Sequence, residues 1–308
     1  MILYISSRKK RSKNNLYKEA IDSSEEKECV RSKKMNKESF EYHVSMPLRG
    51  SIFYRGGHQA LISALESMYG SGEVPLPSPL LARQRALSRS DDPFWNCRFH
   101  ASPQVQIEVD SEKVVIFDHR VVDPMHLDDS PLLNPRYLRD HWDETKGGAL
   151  PVPSVYADSL VDLSQTAGSG VVAVSHKDLG AMNEHIHFNQ AAQHPYFIAF
   201  TSLSEADRAL YLKAHEAKHG KQMGLWCVLE DAEKEVPMGC LSVFGNNYDL
   251  YGDDIHSDLA RLAGVQRALV ISSAQGATIN IEDLGGELRT KFPDIDAAKL
   301  GEILSRYR

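Results

Sequence analysis

Ser51-Ile52-Phe53-Tyr54-Arg55-Gly56, Tyr196-Phe197-Ile198-Ala199-Phe200-Thr201-Ser202 and Gln266-Arg267-Ala268-Leu269-Val270-Ile271 are the three stretches on which the reading of this chain turns. Each joins a short apolar run to polar residues, the pattern of a strand meeting a loop. Working outward from the first, Gly56-Gly57 lets the chain turn sharply. Residues 60–69 then set Leu61, Ile62, Leu65 and Met68 at helical spacing before Gly70. Pro75, Pro77 and Pro79 predict an extended connector. Residues 105–109 and 113–117 flank Asp110-Ser111-Glu112 as a hairpin. Residues 118–168, rich in proline, aspartate and glycine, read as mostly loop with one short helix, and loops of that length often carry function.

Beyond Gly170 the periodicity sharpens. Residues 171–174 and 196–200 read as strands. Ser204-Glu205-Ala206-Asp207 opens a helix with a cap-like serine and an acidic first turn, running to His219 before Gly220. Residues 225–229 predict a strand and 255–262 a short helix ended by Gly264. Strands at 269–271 and 278–281 precede a C-terminal amphipathic helix over 295–307. Strands broken by single helices, without regular alternation, predict an α+β fold.

Composition bounds the class. The chain has 308 residues, 42% apolar and 8% aromatic, enough for a sizeable core. Its four cysteines, Cys29, Cys97, Cys227 and Cys240, lack Cys-x-x-Cys spacing and read as reduced thiols rather than a disulfide framework. No apolar run reaches the roughly 18 to 20 residues of a membrane helix, so a cytoplasmic protein without a membrane partner is expected. Residues 1–37 carry 11 Lys/Arg and 5 Asp/Glu, net +6; the rest carry 24 and 37, net −13, together the −7 of the whole chain. Residues 1–45 therefore read as a basic, flexible extension, with Met35 an alternative start, and 46–308 as one domain. A basic arm touching nucleic acid is the functional alternative for the head.

In order and character, the three opening stretches resemble the arginine–serine–glutamate branch of the mono-ADP-ribosyltransferases, the pertussis- and cholera-toxin-like group. The helix after Ser202, residues 224–230 and Asn247-Tyr248-Asp249-Leu250-Tyr251-Gly252-Asp253 add to the likeness. The resemblance implies a split mixed β-sheet with flanking helices and an insertion near 80–190. It implies an enzyme that splits NAD and passes ADP-ribose to a macromolecule, with no metal. Arg55 would grip the pyrophosphate, aided by Tyr54 and Gly56. Thr201 and Ser202 would hydrogen-bond the ribose or orient the catalytic acid, and Gln266 would position the acceptor. Ala268 stands where the catalytic glutamate would be. The glutamate has been replaced, or the chain is a natural pseudoenzyme, or Glu282 or Glu287 supplies the acid; replacement is the simplest account. A Gln-x-Glu pattern and the basic head tilt the acceptor toward RNA before DNA or protein. A toxin of this kind, in an antiviral toxin–antitoxin system, would need a neutralising partner.

Two departures stand beside the likeness: the serine element reads Phe200-Thr201-Ser202, and the gap from Arg55 to Ser202 is long. One rival chemistry is a zinc peptidase, because His215-Glu216-Ala217-Lys218-His219 places two imidazoles four residues apart on a helix. Lys218 between the ligands and Gly220 just after them weaken it. A non-catalytic NAD- or nucleic-acid-binding module is the other rival. His185 and His187 would share a strand face and could meet metal or NAD, though surface histidines are the plainer reading. Tyr54, Tyr196 or Trp226 could stack on nicotinamide or a base, although strand aromatics usually belong to a core.

Overall fold

The structure, a computed structural model, describes residues 41–43, 50–54, 58–88, 92–120, 130–146, 148–179, 184–227, 236–245, 249–252 and 260–266. In chain order they form β1 (Glu41–His43), β2 (Gly50–Tyr54), α1 (His58–Gly70), β3 (Glu73–Pro75), α2 (Ser78–Leu87), α3 (Pro93–Asn96), β4 (Arg98–Val109) and β5 (Glu112–Asp118). After a 3-10 turn at Pro131–Leu133 come α4 (Pro135–His141), a second 3-10 turn at Trp142–Glu144, β6 (Leu150–Pro151), α5 (Ser154–Ser164), β7 (Val171–Ser175) and α6 (His176–Leu179). The remainder is β8 (Glu184–His187), α7 (Phe188–Ala191), α8 (Pro195–Thr201), α9 (Glu205–His219), β9 (Gln222–Cys227), β10 (Met238–Phe244), β11 (Asp249–Gly252) and β12 (Ala260–Gln266).

One large mixed sheet organises these elements, in the order β1-β2-β12-β4-β10-β11-β9-β8, with helices flanking it. The expected α+β character with a mixed sheet and flanking helices is present. The β4·β12 and β9·β11 pairs are parallel; the other ladders are antiparallel. The long strand β4 is the spine. Its first half lies between β12 and β10, and its second half pairs with β5, which continues to β7. No helix among the described residues is long and apolar enough to cross a membrane.

Local chemistry explains the elements that were legible. In α1, Leu61, Ile62, Leu65 and Met68 fall on one face and are buried together with Ala64. The β4–β5 hairpin turns through Asp110 and Ser111, both left-handed at φ 50° and 67°. Two such residues form the turn whose twist suits paired strands. In α9 the Ser204 hydroxyl accepts from the Asp207 N–H, Glu205 and Asp207 meet the positive helix end, and Gly220 leaves the helix at φ 83°.

Several expectations are corrected. Residues 196–200 are not a strand but most of α8. Pro195 starts that helix, the His194 ring caps it by accepting from the Tyr196 N–H, and Ser202 ends it in the left-handed region. An apolar run of that length fits either state, and the cap chemistry decides. Pro77 and Pro79 do not prolong a connector; they sit at the N-cap and first turn of α2, where a missing N–H costs nothing. Of the expected helix over 255–262, residues 260–262 instead open β12, which is paired on both edges by β2, β3 and β4; 255–259 lie outside the described residues. Within 118–168, α5 is an eleven-residue helix burying Tyr156, Ala157 and Leu160. The expected elements at 269–271, 278–281 and 295–307 lie outside the described residues, as do Cys29 and most of the basic head.

Candidate functional site

Of the residues singled out by the transferase resemblance, only Tyr54, Thr201, Ser202 and Gln266 are among the described residues. Arg55, Gly56, Ala268, Glu282 and Glu287 lie outside the described residues. Tyr54 pairs with Arg261, whereas Gln266 ends β12 opposite Glu73. Five residues of extended strand separate positions 261 and 266, about 17 Å. Thr201 is fully buried in α8 and donates its hydroxyl to the Phe197 carbonyl at 2.8 Å. Ser202 is a left-handed helix cap whose N–H donates to the Ile198 carbonyl. A buried helical threonine committed to its own helix cannot hold a ribose.

Burial and charge both oppose the zinc reading. His215 is 2% exposed, packed against His219 with ring centroids 5.3 Å apart and against Trp95 at 6.2 Å. The same box holds Arg85, whose guanidinium lies 5.2 Å from the Trp95 ring. Burial, and then the neighbouring His215, Arg85 and Lys218, push the His219 imidazole down to about 3. A divalent cation beside a buried guanidinium would be repelled. Among the described residues, no group of three or more His, Cys, Asp or Glu is placed to hold a metal ion.

A different set does converge, on the outer face of β8, β9 and β11. The parallel β9·β11 register sets Gly224 beside Asp249 and Trp226 beside Tyr251; the antiparallel β8·β9 register sets His185 beside Gly224 and His187 beside Gln222. Side chains alternate along strands, so these seven residues share one face. The opposite face carries Met223, Leu225 and Leu250, all buried in the core. Polar and aromatic residues on one face and aliphatic residues on the other mark a sheet edge with one packed side.

The details are specific. Gly224 has no side chain, and Asp249 and Trp226 fill the space above it. A Cβ there would overlap the Asp249 Oδ1 and stand 2.6 Å from the Trp226 Nε1. The indole therefore folds back across the glycine with its polar edge turned inward. Tyr251 donates its hydroxyl to the Asp249 Oδ2, and the His185 Nε2 approaches the Asp249 Oδ1 to 3.5 Å. His185 stands against the indole at 86° with ring centroids 5.5 Å apart, an edge-type contact between the two rings. From β4, the Arg98 guanidinium lies 5.8 Å from the Tyr251 ring centroid. The Tyr196 hydroxyl, from within the core, donates to the Trp226 carbonyl at 3.2 Å and fixes β9 beneath.

The predicted shared face of His185 and His187 is thus observed, without metal-binding geometry. His187 caps α7, its Nδ1 accepting from the Asn189 N–H, while the Gln190 side chain accepts from the His187 N–H. That use of Nδ1 leaves the proton on Nε2, so the neutral ring has no outward lone pair for a metal. Asp249 and Tyr251 belong to the stretch that carried the transferase likeness; their role as neighbours of Trp226 needed the strand register. Gly224→Ala should lower stability by about 1–3 kcal/mol by driving Asp249 and Trp226 apart, read as a drop in urea midpoint. An unchanged midpoint would contradict their convergence.

No protein-family model matches the chain, and no curated protein sequence matches it. Among solved structures, it is similar to a protein described as accommodating massive sequence variation in Nanoarchaeota by the C-type lectin fold. The two are 23% identical with a TM-score of 0.59, and the match covers 71% of this chain and 99% of the other. The likeness shows the fold. It overturns the ADP-ribosyltransferase resemblance, and with it the readings as an NAD-dependent transferase, as a toxin of an antiviral toxin–antitoxin system, and as an RNA-modifying enzyme. Ala268 then needs no explanation as an erased catalytic acid. The short motifs misled because a strand ending in Tyr-Arg-Gly and an apolar run ending in Thr-Ser are common chain punctuation.

Proposed function

We propose that this chain is a recognition module, presenting the outer face of β8, β9 and β11 to a ligand held without covalent chemistry. The observation that carries this reading is the convergence of Trp226, Tyr251, His185 and Asp249 on a sheet face whose underside is packed core. Aromatic side chains partly open to solvent offer large contact area at low entropy cost, and polar neighbours set orientation. Strands hold such groups more precisely than loops do. The structural neighbour supports a scaffold role, since in that protein the C-type lectin fold is described as accommodating massive sequence variation. A fold of that kind separates what it binds from what holds it together.

The test is a panel of immobilised glycans, nucleotides and peptides probed with the full chain and with Trp226→Ala. Ligands of this face should lose about tenfold or more in affinity, since truncating a central aromatic anchor commonly costs 2 kcal/mol or more. Ligands that bind both proteins equally would place recognition elsewhere and sink the proposal.

A further inference from the structure

We infer that β7 joins two copies of this chain, each adding its edge strand antiparallel to the other about a two-fold axis at Ala173. β7 closes the branch β4-β5-β7, and among the described residues it pairs with β5 alone. Sheet edges are ordinarily guarded by charge, proline or a bulge, because their unpaired backbone groups invite another strand. β8, at another edge, is guarded. It is four residues long, carries Glu184, His185 and His187, and its His187 N–H is taken by the Gln190 side chain. β7 has no such guard. It reads Val171-Val172-Ala173-Val174-Ser175 in unbroken register with β5, and Ala173 at its centre is exposed.

The hydrogen-bond phase of the strand selects a second copy as its partner. The His119 N–H donates to the Gly170 carbonyl at 2.8 Å, one rung beyond the Asp118–Val171 pair. Bonded and non-bonded pairs alternate along an antiparallel ladder. Val172 and Val174 therefore exchange bonds with β5, while Val171, Ala173 and Ser175 turn their backbone groups outward. At one end the Val171 N–H is already accepted by the Ser169 Oγ at 3.1 Å; at the other, the chain enters α6 directly after Ser175. Among the described residues the edge thus offers the N–H groups of Ala173 and Ser175 and the carbonyls of Val171 and Ala173. A two-fold axis at Ala173 matches this set. Ala173 exchanges both bonds with its counterpart, and each Ser175 N–H meets the Val171 carbonyl of the other copy. The same pairing brings the exposed Lys177 and Asp178 of one copy toward residues 165–170 of the other, which hold no charge, so like charges do not meet.

Equilibrium sedimentation of the full chain across a range of concentrations tests this. The wild type should pass from monomer to dimer as concentration rises. Ala173→Lys sets two like charges opposite each other at the axis, and Ala173→Pro removes an outward N–H from each strand. Each should weaken the dimer by about tenfold or more. Proline is tolerated on an edge strand where the lost N–H faces outward, so both variants should keep the wild-type thermal midpoint within a few degrees. Val174→Pro, which removes an N–H bonded to β5, should instead lower the midpoint. If Ala173→Pro loses its fold, Ala173→Lys decides alone. A chain that stays monomeric at every concentration, or a dimer that Ala173→Lys leaves intact, overturns the β7 contact between copies.

Discussion

Replacing Arg85 with alanine should bring the protein close to unfolding in water, a loss of about 3–5 kcal/mol against a typical total of 5–15 kcal/mol. Arg85 is 1% exposed in the core between α2, α3 and α9. Its Nη2 donates to the carbonyls of Cys97, Phe244 and Gly245 at 3.1, 3.3 and 2.8 Å, and its guanidinium lies over Trp95 and Phe244. Trp95 in turn donates its indole N–H to the Arg85 carbonyl at 2.7 Å. Burial pulls the guanidinium below its ordinary range, partly offset by the nearby Tyr211 hydroxyl. Alanine would remove the guanidinium donor from three carbonyls and leave a cavity between two aromatic rings. Arg85→Met should cost less, about 2–3 kcal/mol, because the stem still packs while the guanidinium's hydrogen bonds are lost. Urea denaturation measures both; an Arg85→Ala protein within 1 kcal/mol of wild type would show that the cluster is not a structural anchor.

That residue also marks where sequence reading stops. Within Ala82-Arg83-Gln84-Arg85, Arg83 and Arg85 look alike, yet Arg83 pairs with Asp207 at the surface while Arg85 is core. Only the helix phase of α2 against α9 separates them, and α2 itself was masked by its prolines. Elements with their own caps and period were legible: α1 from its leucine spacing, the β4–β5 hairpin from its polar turn, α9 from Ser204 and Gly220. In the third opening stretch Gln266 belongs to β12, whose partners β2, β3 and β4 come from far upstream and could not be read locally. The face was visible only in part. His185 and His187 share a strand face in any extended reading, but Trp226 was one stacking candidate among three, beside Tyr54 and Tyr196, and Tyr196 is core. Their meeting with Asp249 and Tyr251 depends on a parallel β9·β11 pairing across residues 228–248, which no local pattern encodes.

Acid should destabilise the protein between pH 6.5 and 4 through His119, by on the order of 3 kcal/mol. The ring is buried between two elements, its Nδ1 2.8 Å from the Ser102 Oγ and its Nε2 2.8 Å from the Ala199 carbonyl. A carbonyl can only accept, so Nε2 carries the proton; Ser102, which accepts from the Ser78 N–H, donates to Nδ1. The neutral ring is thus fully satisfied, and burial holds it down to about 4, outweighing the opposing pull of the Ala199 carbonyl and of Asp118. The sign follows from linkage. The unfolded chain takes up this proton near pH 6.5 and the folded chain only near 4, so stability is complete above 6.5 and falls as pH drops toward 4. His219, held down to about 3, acts in the same direction. His119→Gln should lower stability at pH 7.5 but flatten the loss between pH 6.5 and 4 by close to one proton. Urea midpoints measured across that range, converted to free energy, would read the difference in slope. Parallel curves for wild type and variant would mean that His119 is protonated in the folded protein, and that the Nε2–H tautomer bridging Ser102 to α8 is not the one that holds the core.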